Sequence, residues 1–238
     1  MRLHKFIANC GYTSRRHAEL LIQAGRVEVN GRLVTSLGNT VRPGKDVVAI
    51  NGEAIQLPEA LSIMFNKPAG LITSTHDTHE RLTVMDCLPR SLTDKGLLPA
   101  GRLDQDTEGL LVITNVGDLN HRITHPRYET EKEYAVTVER KPDDSALKRL
   151  ERGIAIDGVT TSPARIAALE TTELGVRINI VIHEGRKRQV KRMFAAVGCE
   201  VLHLGRIRIG QLTLDGLPLG KWRRLSEKDI EALIQGER

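Results

Sequence analysis

The chain has 238 residues, 40% hydrophobic and 27% charged, with a formal charge of +5; that length makes one large domain or two ordinary ones and buries a core without staples. No run of ~18 apolar residues occurs, which excludes a helical membrane span. Cys10, Cys87 and Cys199 are odd in number, far apart and never in a CxxC pair, which excludes a disulfide framework and a Cys-rich zinc site and fits a reducing compartment.

Met1-Arg2-Leu3-His4-Lys5 leads straight into a helical pattern with no apolar signal segment, so a cytoplasmic location is expected. Leu3, Phe6 and Ile7 have helical spacing, and Gly11-Tyr12-Thr13 breaks that helix. Ser14 caps a second helix with Ala18, Leu21 and Ile22 on one face and Gly25 at the stop. Arg26–Val29 alternates as a strand, Asn30-Gly31 is a hairpin turn, and Arg32-Leu33-Val34 returns. A further strand is predicted over Val47–Ile50, closed by Asn51-Gly52. Glu53 to about Ser62, with Pro58, reads as a linker, which divides the chain into domains 1–58 and 59–238.

In the second domain Ile63-Met64-Phe65 is a short apolar strand before the turn Asn66-Lys67-Pro68-Ala69-Gly70, and Leu110–Ile113 is a buried strand. Tyr134–Val138 and Val176–Ile182 alternate with period two. A helix follows Glu184-Gly185, with Val190, Met193, Phe194 and Val197 on its apolar face and Gly198 at its end. Strands interleave irregularly with few helices. The expected class is therefore α+β: a small module with a helix pair and a β-hairpin, then a larger, mostly antiparallel mixed sheet with flanking helices.

The positive charge is concentrated in two places. Residues 1–45 carry Arg2, Lys5, Arg15, Arg16, Arg26, Arg32, Arg42 and Lys45 against Glu19 and Glu28. Residues 183–208 carry Arg186, Lys187, Arg188, Lys191, Arg192, Arg206 and Arg208 against Glu184 and Glu200. Two basic stretches on a mildly acidic body suit a phosphate backbone, although charge runs are also solvated faces. The aromatics Phe6, Tyr12, Phe65, Tyr128, Tyr134, Phe194 and Trp222 do not cluster in the sequence, so shape and phosphate contacts are expected rather than stacking platforms.

Three segments could carry chemistry. Gly101-Arg102-Leu103-Asp104-Gln105-Asp106-Thr107-Glu108-Gly109 is an acid-rich turn running into a buried strand, where a rigidly held carboxylate beside an Arg suits a nucleophile or general base. On pattern alone, a turn with local Asp and Thr hydrogen bonds is the better reading. His183 through Met193 sets Arg186, Lys187, Arg188, Lys191 and Arg192 at a strand-to-helix turn. The packed face at Val190, Met193 and Phe194 fixes Lys191 nearby, where it is suited to pair with a buried carboxylate. In Lys132-Glu133-Tyr134, the tyrosine shares a face with Val136 and Val138 and reads first as a core residue. Gly216–Lys221 is one residue short of a P-loop, and His76/His79 and His121/His125 lack a complete metal set.

These segments carry a resemblance. RLHKFIANCGYTSRRHAELLIQAGRVEVNGRLV, within residues 2–52, resembles the alpha-L RNA-binding module named for the fourth small-subunit ribosomal protein. GRLDQDTEGLL, KEY, EGRKRQVKRMF, NKPAG and LPLGKWR resemble the motifs of the ribosomal RNA pseudouridine synthases of the branch with small-subunit type A and large-subunit types B, E and F, and stand in that family's order along the chain. The resemblance implies isomerisation of uridine to pseudouridine in ribosomal RNA, with the large subunit slightly favoured. It makes Asp104 the catalytic aspartate, Tyr134 the tyrosine against the target base, Lys191 the basic partner of the aspartate, and Arg102 the residue that holds the flipped nucleotide's place. Where this chain has Arg188, relatives often have His. Arg2, Lys5, Arg15, Arg16 and Arg26 in the first module, and Arg186, Arg188 and Arg192 in the second, are the expected RNA contacts. The expected partner is ribosomal RNA or a pre-ribosomal particle, met by a monomer with no membrane, metal or small-molecule cofactor.

Two rival classes differ in outcome. A glycosidase or N-glycosylase pairing Asp104 with Asp106 or Glu108 needs carboxylates facing each other at ~5–9.5 Å, which adjacent loop residues rarely manage. A ribosome-assembly factor would bind RNA without changing it.

Overall fold

A computed structural model describes residues 1–235; residues 236–238, the end of the expected second domain, lie outside them. The chain forms two compact units, one of Met1–Leu61 with Leu88–Leu98 and Thr114–Gly117, the other of Ser62–Cys87, Pro99–Ile113 and the chain from Asp118.

The first unit begins with helices α1 (Leu3–Asn9) and α2 (Arg15–Gln23). The Ser14 side chain accepts from the His17 amide and caps α2 as its sequence predicts. Strands β1 (Val27–Val29), β2 (Arg32–Leu33), β3 (Val48–Ile50) and β4 (Glu53–Ile55) form an antiparallel sheet in the order β2-β1-β3-β4. Leu3, Phe6, Ile7, Ala18, Leu21, Ile22, Val27, Val41, Val48 and Ile50 make its core.

One expectation changes here. The stretch from Glu53 is not wholly linker: Asn51 and Gly52, both at positive φ, reverse the chain so that Glu53–Ile55 pairs with β3 and Ile55 packs on the core. Three residues, Glu53-Ala54-Ile55, are too few for an alternation to be read. The first compact unit runs to Leu61, and the later segments Leu88–Leu98 and Thr114–Gly117 join it. Asn115 ties them: its Oδ1 accepts from the Leu61 amide at 2.8 Å, and its Nδ2 donates to the Glu59 carbonyl at 2.9 Å and the Lys95 carbonyl at 3.1 Å.

The remaining elements, in chain order, are β5 (Ser62–Lys67), α3 (Arg90–Thr93), β6 (Leu98–Pro99), β7 (Glu108–Thr114), α4 (Gly117–Thr124), β8 (Lys132–Val138), α5 (Asp144–Arg152), β9 (Ala155–Ile156), β10 (Val159–Thr160), β11 (Arg165–Thr172), β12 (Gly175–Ile182), α6 (Gln189–Ala195), β13 (Val201–Ile209), β14 (Leu212–Thr213), β15 (Trp222–Arg224) and α7 (Glu227–Ile234). Nine strands form one mixed sheet along the path β11-β12-β8-β13-β7-β5-β15, with β14 on β13 and β6 on β7. The β13–β7 pair is parallel, whereas β11–β12, β12–β8, β8–β13 and β5–β15 are antiparallel. This is the expected α+β class. Strands β5 and β7 are buried along almost their whole length, as strands covered on both faces must be. Helix α6 buries Val190, Met193 and Phe194, and Val197 follows its end half-buried.

The turns after β5 and before β15 meet. Asn66 donates from Nδ2 to the Leu217 carbonyl at 2.8 Å and from its amide to the Lys221 carbonyl at 2.9 Å, while its carbonyl accepts from the Gly220 amide at 2.8 Å. Asn66–Gly70 and Leu217–Arg223, distant in sequence, are thus two sides of one corner.

Candidate active site

The segment after β5 builds the loop that carries Asp104. Lys67 ends that strand fully buried, and its ammonium donates to the carbonyls of Pro68 (3.0 Å), Asp104 (3.2 Å), Gln105 (3.3 Å) and Thr107 (2.8 Å). The Thr73 hydroxyl donates to the Leu103 carbonyl at 2.8 Å and accepts from the Leu103 amide at 3.2 Å. Gly70 exchanges two bonds with Gln105, amide to carbonyl at 2.8 Å and side-chain amide to carbonyl at 3.1 Å. The loop is therefore gripped on both sides of residue 104. Burial pushes the Lys67 pKa down to about 8 against the opposing pull of Glu108, Asp106 and Asp104.

Parallel pairing of β7 with β13 then fixes where that loop stands. Gly109, at φ +104°, lies so close to the Arg206 backbone that a Cβ would collide with it. The same strand β13 pairs with β8, setting Arg206 opposite Tyr134. The turn before α6 completes the enclosure. Gln189 accepts from the Arg186 amide at 2.9 Å and donates to Glu184 at 2.6 Å, and Glu184 accepts from the Ser162 amide at 2.9 Å. Arg188, the N-cap of α6, sits in the left-handed region at φ 52°.

These three segments surround a cleft of about 670 Å³ that includes Asp104, Tyr134, Arg102, Arg186 and Arg188 in its wall. Lys132, Lys187 and Arg206 line it as well. The Asp104 carboxylate is half-buried and, among the described residues, has no hydrogen-bond or ion-pair partner. Tyr134 is 8% exposed, with its hydroxyl 3.5 Å from an Arg206 nitrogen. The plain core reading of Tyr134 is thus only half right, because its ring is packed but also borders the cleft.

Lys191 does not pair with Asp104. Its Nζ lies 2.7 Å from Asp106, which also meets Arg188 at 3.2 Å. Burial raises the Asp106 pKa, but Lys191 and Arg188 together outweigh it and hold the carboxyl below its ordinary value. Lys191 borders a different hollow, with Asp106 and Ala195, and sequence spacing alone does not distinguish two aspartates two residues apart. Arg192 is paired with Asp157 and is not among the residues lining the cleft.

In the first unit Arg15 and Arg16 are exposed in the first turn of α2. Arg2 donates to the Gly38 carbonyl at 2.7 Å, and Arg26 to Asn51 Oδ1 at 2.8 Å. Lys5 is half-buried on α1.

Sequence reasoning misses Lys67, Lys132 and Arg206. Lys67 follows Ile63-Met64-Phe65 and reads as part of the turn Asn66–Gly70 rather than as the buried end of β5. Lys132 is visible in Lys132-Glu133-Tyr134, and Arg206 only as part of a charge sum. The ring cluster at Tyr128 is missed too, because two of its members are histidines: His121 lies 5.5 Å and His125 6.3 Å from it, with Arg127 4.5 Å from its ring centre. Among the described residues no group of three or more His, Cys, Asp or Glu could hold a metal, and no helix is long and apolar enough to cross a membrane.

A cleft walled by this many cations suits a polyanion, and the first unit presents further cations on a helix pair. Comparison with known proteins agrees. Residues 62–196 match the family described as RNA pseudouridylate synthase, and residues 1–47 match the S4 domain. The chain belongs to the RNA pseudouridylate synthase family and is an isomerase, with an S4 RNA-binding domain at its N-terminal end. It is 40% identical to the ribosomal large subunit pseudouridine synthase B of Bacillus subtilis (strain 168), over 98% of this chain and 95% of that protein. It is 37% identical to the dual-specificity RNA pseudouridine synthase RluF of Escherichia coli (strain K12), over 99% of this chain and 79% of that protein. A crystal structure of a pseudouridylate synthase matches with a TM-score of 0.70 and 36% identity, covering 98% of this chain and 99% of that one.

Proposed function

We propose that the chain converts specific uridines to pseudouridine in folded ribosomal RNA, with Asp104 as the catalytic carboxylate. The observation that carries this reading is the Asp104 carboxylate itself: it has no partner among the described residues, borders a cleft that also holds Tyr134, and stands on a loop fixed on both sides. The C1′–N1 bond must break, the uracil must turn while bound, and C5 must bond to C1′. Stacking hides those atoms, so the nucleotide has to be extruded at a cost of a few kcal/mol. Phosphate contacts from Arg186 and Arg188, and from Arg2, Lys5, Arg15, Arg16 and Arg26 of the S4 unit, offset that cost.

In this reading Tyr134 lies against the extruded uracil and Arg102 holds the place it left. Lys191 acts through Asp106, steadying the loop two residues from the reacting carboxylate. Arg192, engaged with Asp157, supports the turn rather than the cleft. The reaction neither adds nor removes atoms or electrons, and the chain carries it out as a monomer without a cofactor.

The large subunit is the favoured substrate, a preference supported by the identity with the large-subunit enzyme of Bacillus subtilis. The test is to map carbodiimide-dependent reverse-transcription stops on both ribosomal RNAs from a strain lacking the gene. Loss of a stop in large-subunit RNA is expected. Loss confined to small-subunit RNA overturns the subunit assignment, and no loss in either overturns the ribosomal reading.

A further inference from the structure

Of the cations in the cleft wall, Lys132 and Arg206 are the two that are shielded from solvent and, among the described residues, form no ion pair with a carboxylate. Lys132 and Tyr134 are two residues apart on β8 and share its face, and β13 sets Arg206 opposite Tyr134. Arg206 is 2% exposed; its Nε donates to the Leu110 carbonyl at 2.8 Å, one terminal nitrogen reaches the Tyr134 hydroxyl, and the other has no hydrogen-bond partner among the described residues. Lys132 is half-buried and donates to the Thr130 carbonyl at 2.8 Å. Burying a guanidinium without a counter-charge is costly, and an unsatisfied donor beside it adds to the cost. Such an arrangement is relieved when an anion arrives.

The depth of the pair selects the anion. An extruded nucleotide enters base first, so its phosphates stay toward the mouth while the pyrimidine reaches the floor. We propose that Lys132 and Arg206 form an anion subsite that holds the carbonyl oxygens of the uracil ring while the ring is detached from the ribose. This rests on the reading of the cleft given above and assigns it two further catalytic residues.

The chemistry requires such a site. When N1–C1′ breaks, its electron pair stays on N1, and the ring becomes a monoanion whose charge is shared with O2 and O4. C1′ meanwhile takes an electron pair from an Asp104 oxygen, or from the C2′–H bond as its proton passes to the Asp104 carboxylate, and that change is reversed when C5 attaches. C5 bonds to C1′, its hydrogen leaves as a proton, and N1 takes up a proton, so composition is unchanged. Donors aimed at the oxygens where charge develops act most strongly in a site from which water is excluded.

Burial, reinforced by the Arg206 charge, pushes the Lys132 pKa down to about 8, so in the empty cleft the ammonium is poised to lose its proton. The other charged or titratable groups of the cleft wall are Tyr134 on its own strand, His183, Glu184, Arg186, Lys187 and Arg188 after β12, and Arg102 and Asp104 before β7. Glu133 is engaged by Arg208 and Asn179 instead.

The test uses the full chain and transcripts of both ribosomal RNAs tritiated at uracil C5, since bonding of C5 to C1′ releases that hydrogen to water. Lys132→Met should bind the transcripts within about twofold of wild type yet release tritium on the order of 10²-fold more slowly in single turnovers. The wild-type rate at subsaturating enzyme, which reports the ligand-free cleft, should fall as pH rises through about 8. Lys132→Arg, which keeps its charge, should recover much of the rate and lose that fall. Circular dichroism and melting check that each variant folds, and Arg206→Lys is a second variant with the same expected split between rate and binding. Weakened binding with an unchanged bound-state rate would make Lys132 a phosphate contact and overturn the proposal, as would a Lys132→Met rate equal to wild type. A wild-type chain that releases no tritium from either transcript refutes the parent reading instead.

Discussion

Replacing Lys67 by Met separates what holds the fold from what holds the Asp104 loop. The three N–H groups of the ammonium are shared among the carbonyls of residues 68, 104, 105 and 107. Keeping it in a site that pushes its pKa from 10.5 to about 8 costs roughly 3 kcal/mol at neutral pH. Met fills a similar volume and removes that cost, but leaves carbonyls without a donor, at about 1–3 kcal/mol for each that finds no water. The net loss should be modest, about 1–3 kcal/mol by urea unfolding. Turnover should suffer more, because an ångström of drift in a reacting group costs about 10²-fold. The pH dependence has a definite sign: the folded-state pKa lies below the unfolded one, so the unfolded chain holds the extra proton between about 8 and 10.5, and wild-type stability gains across that window. The Met variant lacks this gain. Tritium release at saturating RNA, measured beside urea curves at several pH values, tests all three points. A variant with wild-type turnover would refute the claim that this lysine positions Asp104.

Gly109→Ala forces a side chain into the Arg206 backbone at a positive φ; it should cost about 3 kcal/mol and lower the melting temperature by roughly 6–12 °C, and a melt within 2 °C or so of wild type would contradict the close approach of β7 and β13. Replacing Arg15 and Arg16 together by Ala should flatten the log–log salt dependence of RNA binding by ~0.7–0.9 for each phosphate no longer neutralised; an unchanged slope would show that these side chains do not touch the RNA backbone. Asp229 closes a capping box with Ser226 and takes two bonds from Arg223, which hold its carboxyl well below the usual range. Asp229→Ala should therefore cost ~1–2 kcal/mol at pH 7, and because the native pKa is depressed, the gap to wild type should narrow as pH falls below about 4.

Local signals are readable wherever chemistry and period coincide. Ser14 before an amphipathic stretch, Asn30-Gly31 between alternating residues and the apolar run Leu110–Ile113 each produce the element they predict. Strand β11 is not readable: Arg165–Thr172 is almost wholly exposed at the sheet edge, so nothing in it alternates. The site is half legible. Asp104, Tyr134 and the turn at Arg186–Arg188 stand out as motifs, yet their meeting depends on a parallel β7–β13 pair that no short-range pattern encodes. The resemblance pairs Lys191 with Asp104, whereas the structure sets it against Asp106, and Arg206, opposite Tyr134 only through strand register, passes as one more surface charge.

The most direct test of the central claim compares Asp104→Asn with wild type, measuring RNA binding and pseudouridine formation on the same transcripts. The substitution keeps shape and removes only the charge of a side chain that has no partner among the described residues, so folding and affinity should be unchanged within about twofold while pseudouridine falls below detection, on the order of 10³-fold or more. Modification at the wild-type rate would contradict the assignment of Asp104 as the reacting carboxylate.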